Sequence, residues 1–69
     1  MRKISEEELK SMLESRVAGE TLDLNQCSFE NMDLGGWNLQ NINFDDCDFK
    51  GITFDGADLS GITARNALF

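Results

Sequence analysis

Few residues in this chain are equipped for chemistry: two cysteines, Cys27 and Cys47, and the acidic run Asp45, Asp46 and Asp48. The absence of histidine excludes Ser-His-Asp and Cys-His catalysis and zinc sites with histidine ligands. Two cysteines also fall short of a four-thiolate metal site. Nothing beside them in sequence lowers a thiol pKa, so neither reads as a nucleophile. The aspartates of "FDDCDF" raise the question of calcium, but that ion needs six or more oxygens converging on one point. A solvated acidic face is the simpler reading. No catalytic residue, cofactor site or metal site is assigned, and an enzyme is not expected.

The elements that position these residues follow from an unusual period. In fives from residue 20, the central residues are Leu24, Phe29, Leu34, Leu39, Phe44, Phe49, Phe54, Leu59, Ala64 and Phe69. Two places before each lies a second apolar residue, among them Cys27, Trp37, Cys47, Ala57 and Ile62. Outside these two columns the segment has one other apolar side chain, Leu68. Gaps of two and three fit neither a helix nor a plain strand. They fit a backbone in which each five-residue unit forms one side of a square coil, two side chains inward and three at the wall and corner.

These residues resemble the pentapeptide-repeat family, whose consensus is roughly A-(D/N)-L-X-X. "ADLSG" at 57–61 matches it outright, and "MDLGG", "WNLQN", "INFDD" and "CDFKG" are variants. The resemblance covers ten repeats over residues 20–69 and implies an all-β fold: a right-handed quadrilateral β-helix, a solenoid of twenty residues per coil and about two and a half coils. Residues twenty apart then stack at the ~4.8 Å strand spacing. Phe29, Phe49 and Phe69 form a ladder, and Glu30 sits over Lys50 and Asp45 over Arg65. Gly36 over Gly56 and Asn31 over Gly51 put permissive residues at corners.

Residues 1–19 form a separate N-terminal segment. Ser5 and Glu8 make a capping box, Ile4 and Leu9 a hydrophobic staple, and Leu9, Met12, Leu13 and Val17 recur at helical spacing before Gly19. An amphipathic helix over residues 4–18 is expected, and its most economical use is as a lid on the first coil, since solenoids need capped ends. A partner-binding helix is the other reading.

Cys27 and Cys47, stacked and inward, are expected as buried free thiols that act as small apolar fillers; a disulfide is the alternative that their spacing permits. Trp37 departs most from the consensus and is expected to point inward above Ala57, with an outward contact role as the alternative. At the other end, Leu59, Ile62, Leu68 and Phe69 belong to a last coil with nothing over it. They are the interaction candidates, because an uncovered coil end shows apolar side chains together with unpaired strand backbone. A homodimer through this end, or continuation of a longer solenoid, is expected.

The net charge of −7 falls entirely on residues 20–69. No basic patch exists to displace counterions from phosphates, so direct nucleic-acid binding is not expected. No apolar run approaches the ~18 residues of a membrane span, and no signal-peptide pattern opens the chain. The expected function is a non-catalytic structural and protein-interaction module. The resemblance implies a bacterial protein, cytoplasmic or a secreted effector, and supplies an alternative: an acidic DNA mimic that regulates DNA gyrase.

Overall fold

A computed structural model describes residues 1–69, all of the chain. It contains short strands and one helix in the order β1 (Arg2–Lys3), α1 (Glu6–Ser15), β2 (Leu22–Asp23), β3 (Cys27–Glu30), β4 (Ile42–Asn43) and β5 (Asp48–Lys50). All pairing is parallel. β2 pairs with β4 and β3 with β5, in a register that joins Leu22 to Ile42, Ser28 to Asp48 and Phe29 to Phe49. Single bridges extend the same twenty-residue offset to Asp33–Thr53, Asn38–Asp58, Asn43–Thr63 and Asp48–Leu68.

The turns between these short sides explain the five-residue period. Every fifth residue from Gln26 to Asn66 has positive φ, all nine between 52° and 76°. Each is the third residue of a tight turn, the position where a type II turn needs a left-handed backbone. In five of these turns, such as Leu34–Trp37 and Phe54–Ala57, the fourth residue's N–H bonds the first residue's carbonyl. At two corners asparagine stacks on glycine and fills the space of its missing side chain: Asn31 Oδ1 would stand 2.5 Å from a Cβ placed on Gly51, and Asn41 crowds Gly61 in the same way.

The aspartate and asparagine of the repeat have a local task as well. Oδ1 of Asp23, Asp33, Asn38, Asn43 and Asp58 each accepts the N–H two residues later, at 2.9–3.2 Å. This Asx turn satisfies a donor at the corner that no neighbouring strand reaches.

Twelve residues are buried, all of them apolar, and they form one cluster that runs from Ile4 and Leu9 to Phe49. Phe29, Phe49 and Phe69 stack with centroid separations of 5.3 and 5.1 Å. Phe44 meets Phe29 and Phe49 edge-on, a favourable arrangement of ring quadrupoles. No residue after Phe49 is buried.

The N-terminal segment departs from the sequence expectation in three ways. First, residues 2–4 are extended: β1 pairs with β3, Arg2 beside Cys27 and Lys3 beside Ser28, and Ile4 N–H donates to the Ser28 carbonyl at 2.9 Å. Second, Ser5 Oγ accepts the Glu8 N–H at 3.1 Å, but the Glu8 carboxylate pairs with Arg2 instead of returning to Ser5. Third, the helix ends at Ser15, well before Gly19, and Arg16 is extended. Its guanidinium bonds the Asn38 and Gln40 carbonyls, which draws the chain out of the helix and leaves Val17 exposed. Gly19, at φ +86°, serves the next turn, closed by Glu20 N–H on the Val17 carbonyl.

Candidate functional site

The residues with chemical potential are spent on structure. Cys27 and Cys47 are free and buried, as expected. Cys47 Sγ donates to the Leu24 carbonyl at 3.0 Å and Cys27 Sγ to the Asn25 carbonyl at 3.4 Å. Burial pushes both thiols above their ordinary value, outweighing the lowering by Arg2 at Cys27 and by the Cys27 backbone at Cys47. Neither is an activated nucleophile.

The acidic run does not converge either. Asp45 accepts the Arg65 backbone N–H at 2.9 Å, Asp46 occupies a corner at φ 59°, and Asp48 lies in β5. No group of three or more cysteine, aspartate or glutamate side chains is arranged to hold a metal ion. The best-bonded carboxylate is Asp58. The Gln40 amide and the Ser60 hydroxyl and N–H hold it below the usual carboxylate range.

Glu30 over Lys50 and Asp45 over Arg65 stack as the sequence places them, but neither stack is an ion pair. Glu30 stands beside Lys50 in the ladder, but its carboxylate lies 3.5 Å from Lys3 Nζ, on the β1 strand that the five-residue pattern did not include. Asp45 turns to the Arg65 backbone. The only ion pairs are Arg2–Glu8 and Lys3–Glu30, so the Lys50 and Arg65 side chains carry unpaired charge.

Trp37 is half-buried. It packs on the core and lines a shallow cleft with Leu13, Lys10, Glu14, Arg16 and Asn38, beside the end of α1. The cleft is open, and no buried side-chain nitrogen or oxygen of the chain lacks a hydrogen-bond partner.

The remaining site is an edge. Leu34 N–H donates to the Thr53 carbonyl, Leu39 to Asp58, Phe44 to Thr63 and Phe49 to Leu68, at 2.8–2.9 Å. Their counterparts twenty residues on, the N–H groups of Phe54, Leu59, Ala64 and Phe69, have no backbone partner. The apolar side chains of the same level are open too. Leu59 is 36% exposed, Leu68 65% and Phe69 82%, while Ile62 and Phe54 are half-buried. The four residues singled out from the sequence belong to this last level.

A family model of pentapeptide repeats matches residues 23–69 in eight copies. The chain belongs to the pentapeptide-repeat family. The match begins three residues inside the ten repeats counted from residue 20, and it leaves β1 and α1 outside. Pentapeptide-repeat proteins are in general non-enzymatic structural or interaction modules, in keeping with cysteines and acids engaged as described. No curated protein and no solved structure matches the chain.

Proposed function

We propose that this pentapeptide-repeat chain is a non-catalytic structural and protein-interaction module. Its parallel pairs are the turns of a right-handed quadrilateral β-helix with twenty residues per turn. β1, α1 and Arg16 cover the first turn, and the last turn offers its edge to a further protein strand.

One observation carries this reading: the N–H groups of Phe54, Leu59, Ala64 and Phe69 lack partners, whereas their equivalents one level earlier are all bonded. Unpaired strand backbone flanked by apolar side chains is a template for pairing. At the opposite end part of the outward backbone is engaged, although the Asp33 and Gly35 carbonyls there have no partner. The Gln26 and Ser28 carbonyls accept from Arg2 and Ile4, and the Asn38 and Gln40 carbonyls from Arg16.

The test is to append a second copy of residues 50–69 after Phe69, which keeps the five-residue phase. The added level is expected to raise the melting midpoint by about 10 °C, the shift that ~2 kcal/mol gives a domain of this size. The Phe54 and Leu59 amides should gain hydrogen-exchange protection. An unfolded extension with those amides still unprotected overturns the reading.

The acidity of residues 20–69 favours a second reading, in which the repeat wall mimics the charge of duplex DNA toward DNA gyrase. Two and a half turns span only ~12 Å at strand spacing, short of the ~34 Å of one DNA turn. Unchanged gyrase supercoiling at micromolar protein removes it.

A further inference from the structure

We infer that the backbone carbonyls of Asp33 and Gly35 form a seat for a guanidinium, the side chain of an arginine presented by a partner protein. The seat lies at the end of the repeats that α1 covers, opposite the edge proposed above, and neither depends on the other.

Asp33 and Gly35 stand just before and just after Leu34, as Asn38 and Gln40 stand before and after Leu39. One level further on, carbonyls in these positions accept from the level before. Thr53 and Asp55 take the N–H groups of Leu34 and Gly36, and Asp58 and Ser60 take those of Leu39 and Asn41. In the first level no earlier repeat supplies such donors. Arg16 replaces them at one pair: Nη2 donates to the Asn38 carbonyl at 3.4 Å and Nη1 to the Gln40 carbonyl. A planar guanidinium thus spans two acceptors at this spacing. At Asp33 and Gly35, five residues earlier in the same phase, the two carbonyls have no backbone donor. The nearby bases are committed elsewhere, Arg2 to Glu8, Lys3 to Glu30 and Arg16 to its own pair.

The vacant seat suits a cation better than the filled one. Asp33 carries a carboxylate where the filled seat has the Asn38 amide, and the Gly35 N–H holds its Oδ1 at 2.9 Å. Gly35 stands where the filled seat has Gln40, so the second acceptor has no side chain of its own. Both residues are exposed. Asp55, one level below Gly35, is a second carboxylate without an ion pair. A lysine ammonium is a point donor and lacks the fork that bridges both carbonyls. Free arginine brings an α-carboxylate toward a chain of net charge −7, which favours arginine in peptide linkage.

The test follows the carbonyl chemical shifts of the isotope-labelled 69-residue chain by NMR at constant ionic strength. The probes are acetyl-arginine amide, acetyl-lysine amide and free arginine. Acetyl-arginine amide should shift the Asp33 and Gly35 carbonyls saturably, half-complete at about 1–10 mM, as expected of two charge-assisted bonds near solvent. The other two probes should bind at least threefold more weakly. The Asn38 and Gln40 carbonyls, which already hold Arg16, should stay in place. Asp33→Asn keeps the turn oxygen, as Asn38 does, and should weaken binding at least threefold with unchanged circular dichroism. In Arg16→Ala the freed Asn38 and Gln40 carbonyls should respond to the arginine probe as well. Absence of a saturable response at Asp33 and Gly35 in the folded wild type overturns the inference. So does an equal response to the lysine probe, or an Asp33→Asn chain that binds as wild type. None of these outcomes bears on the Phe54 and Leu59 amides.

Discussion

The rings of Phe29 and Phe49 lie 5.3 Å apart and within 6° of parallel, and the two residues are direct neighbours in the β3–β5 register. Phe49 also stacks on Phe69 and meets Phe44 and Phe54 edge-on, so it touches four other rings. Replacing Phe49 by alanine removes all of these contacts at the last fully buried position of the chain. The expected loss is about 3–5 kcal/mol, enough to unfold a domain of ordinary stability for this size. Phe69→Ala, at an exposed ring, should cost less than ~1 kcal/mol. Urea melts of the two variants check both values, and a loss below ~1 kcal/mol for Phe49→Ala would show that the stack contributes little.

The left-handed turn residues give a second, oppositely signed prediction. Of the nine, Gln26 alone is neither glycine nor a short amide or acid, yet its φ is 55°. A left-handed backbone costs an ordinary side chain roughly 1–2 kcal/mol. Gln26→Gly relieves that strain, partly offset by greater freedom of the unfolded chain, so a net gain of about 0.5–1 kcal/mol is expected. Gly56→Ala is the converse. No atom obstructs its Cβ, whose nearest neighbour would be Gly36 N at 3.8 Å, so a loss of ~1 kcal/mol would reflect φ alone. Thermal melts of both variants in one buffer decide the signs.

The repeat region was legible because one period fixes both the inward columns and the stacking partners. Phe29 over Phe49, Asn31 over Gly51 and Gly36 over Gly56 follow from counting by twenty. Side-chain partners followed less well, because a shared column does not decide between rivals. Glu30 had Lys3 as well as Lys50 within reach, and Asp45 had a backbone N–H. β1 was not legible at all. Its offset from β3 is twenty-five residues, and a two-residue strand has no period to detect. The helix end was missed because Arg16 acts over long range: its partners are carbonyls of residues 38 and 40, invisible to any local rule. That Leu59, Ile62, Leu68 and Phe69 belong to the last level followed from phase alone.

The buried thiols predict a pH dependence. Burial raises both above the ordinary thiol value of 9.0, so between the ordinary and the raised value the unfolded chain has lost protons that the folded chain keeps. Stability is therefore full below about pH 9 and falls as pH rises through the raised folded values. The Cys27→Ala, Cys47→Ala double variant should show a flatter profile from pH 8 to 10.5, although less stable at neutral pH through lost packing. Alkylation gives a second measurement: modification of either thiol should proceed at the rate of local or global opening, far slower than in urea.

Arg16 links α1 to the repeats through two carbonyls that no strand satisfies, Asn38 at 3.4 Å and Gln40 at 2.5 Å. A guanidinium suits the task, since its planar fork reaches two acceptors at once. Lysine offers a single ammonium and is expected to keep one bond. Arg16→Lys should therefore cost about half of what Arg16→Ala costs, the latter being ~1.5–3 kcal/mol for charge-assisted bonds, with a lower figure if water reaches the freed carbonyls. Hydrogen exchange separates this from a general loss of packing. Opening should appear first in the amides of α1, while the Phe29 and Phe49 amides retain protection. Uniform deprotection of both regions would mean that the helix and the repeats unfold as one unit, and that Arg16 acts on the whole fold and not on the joint between them.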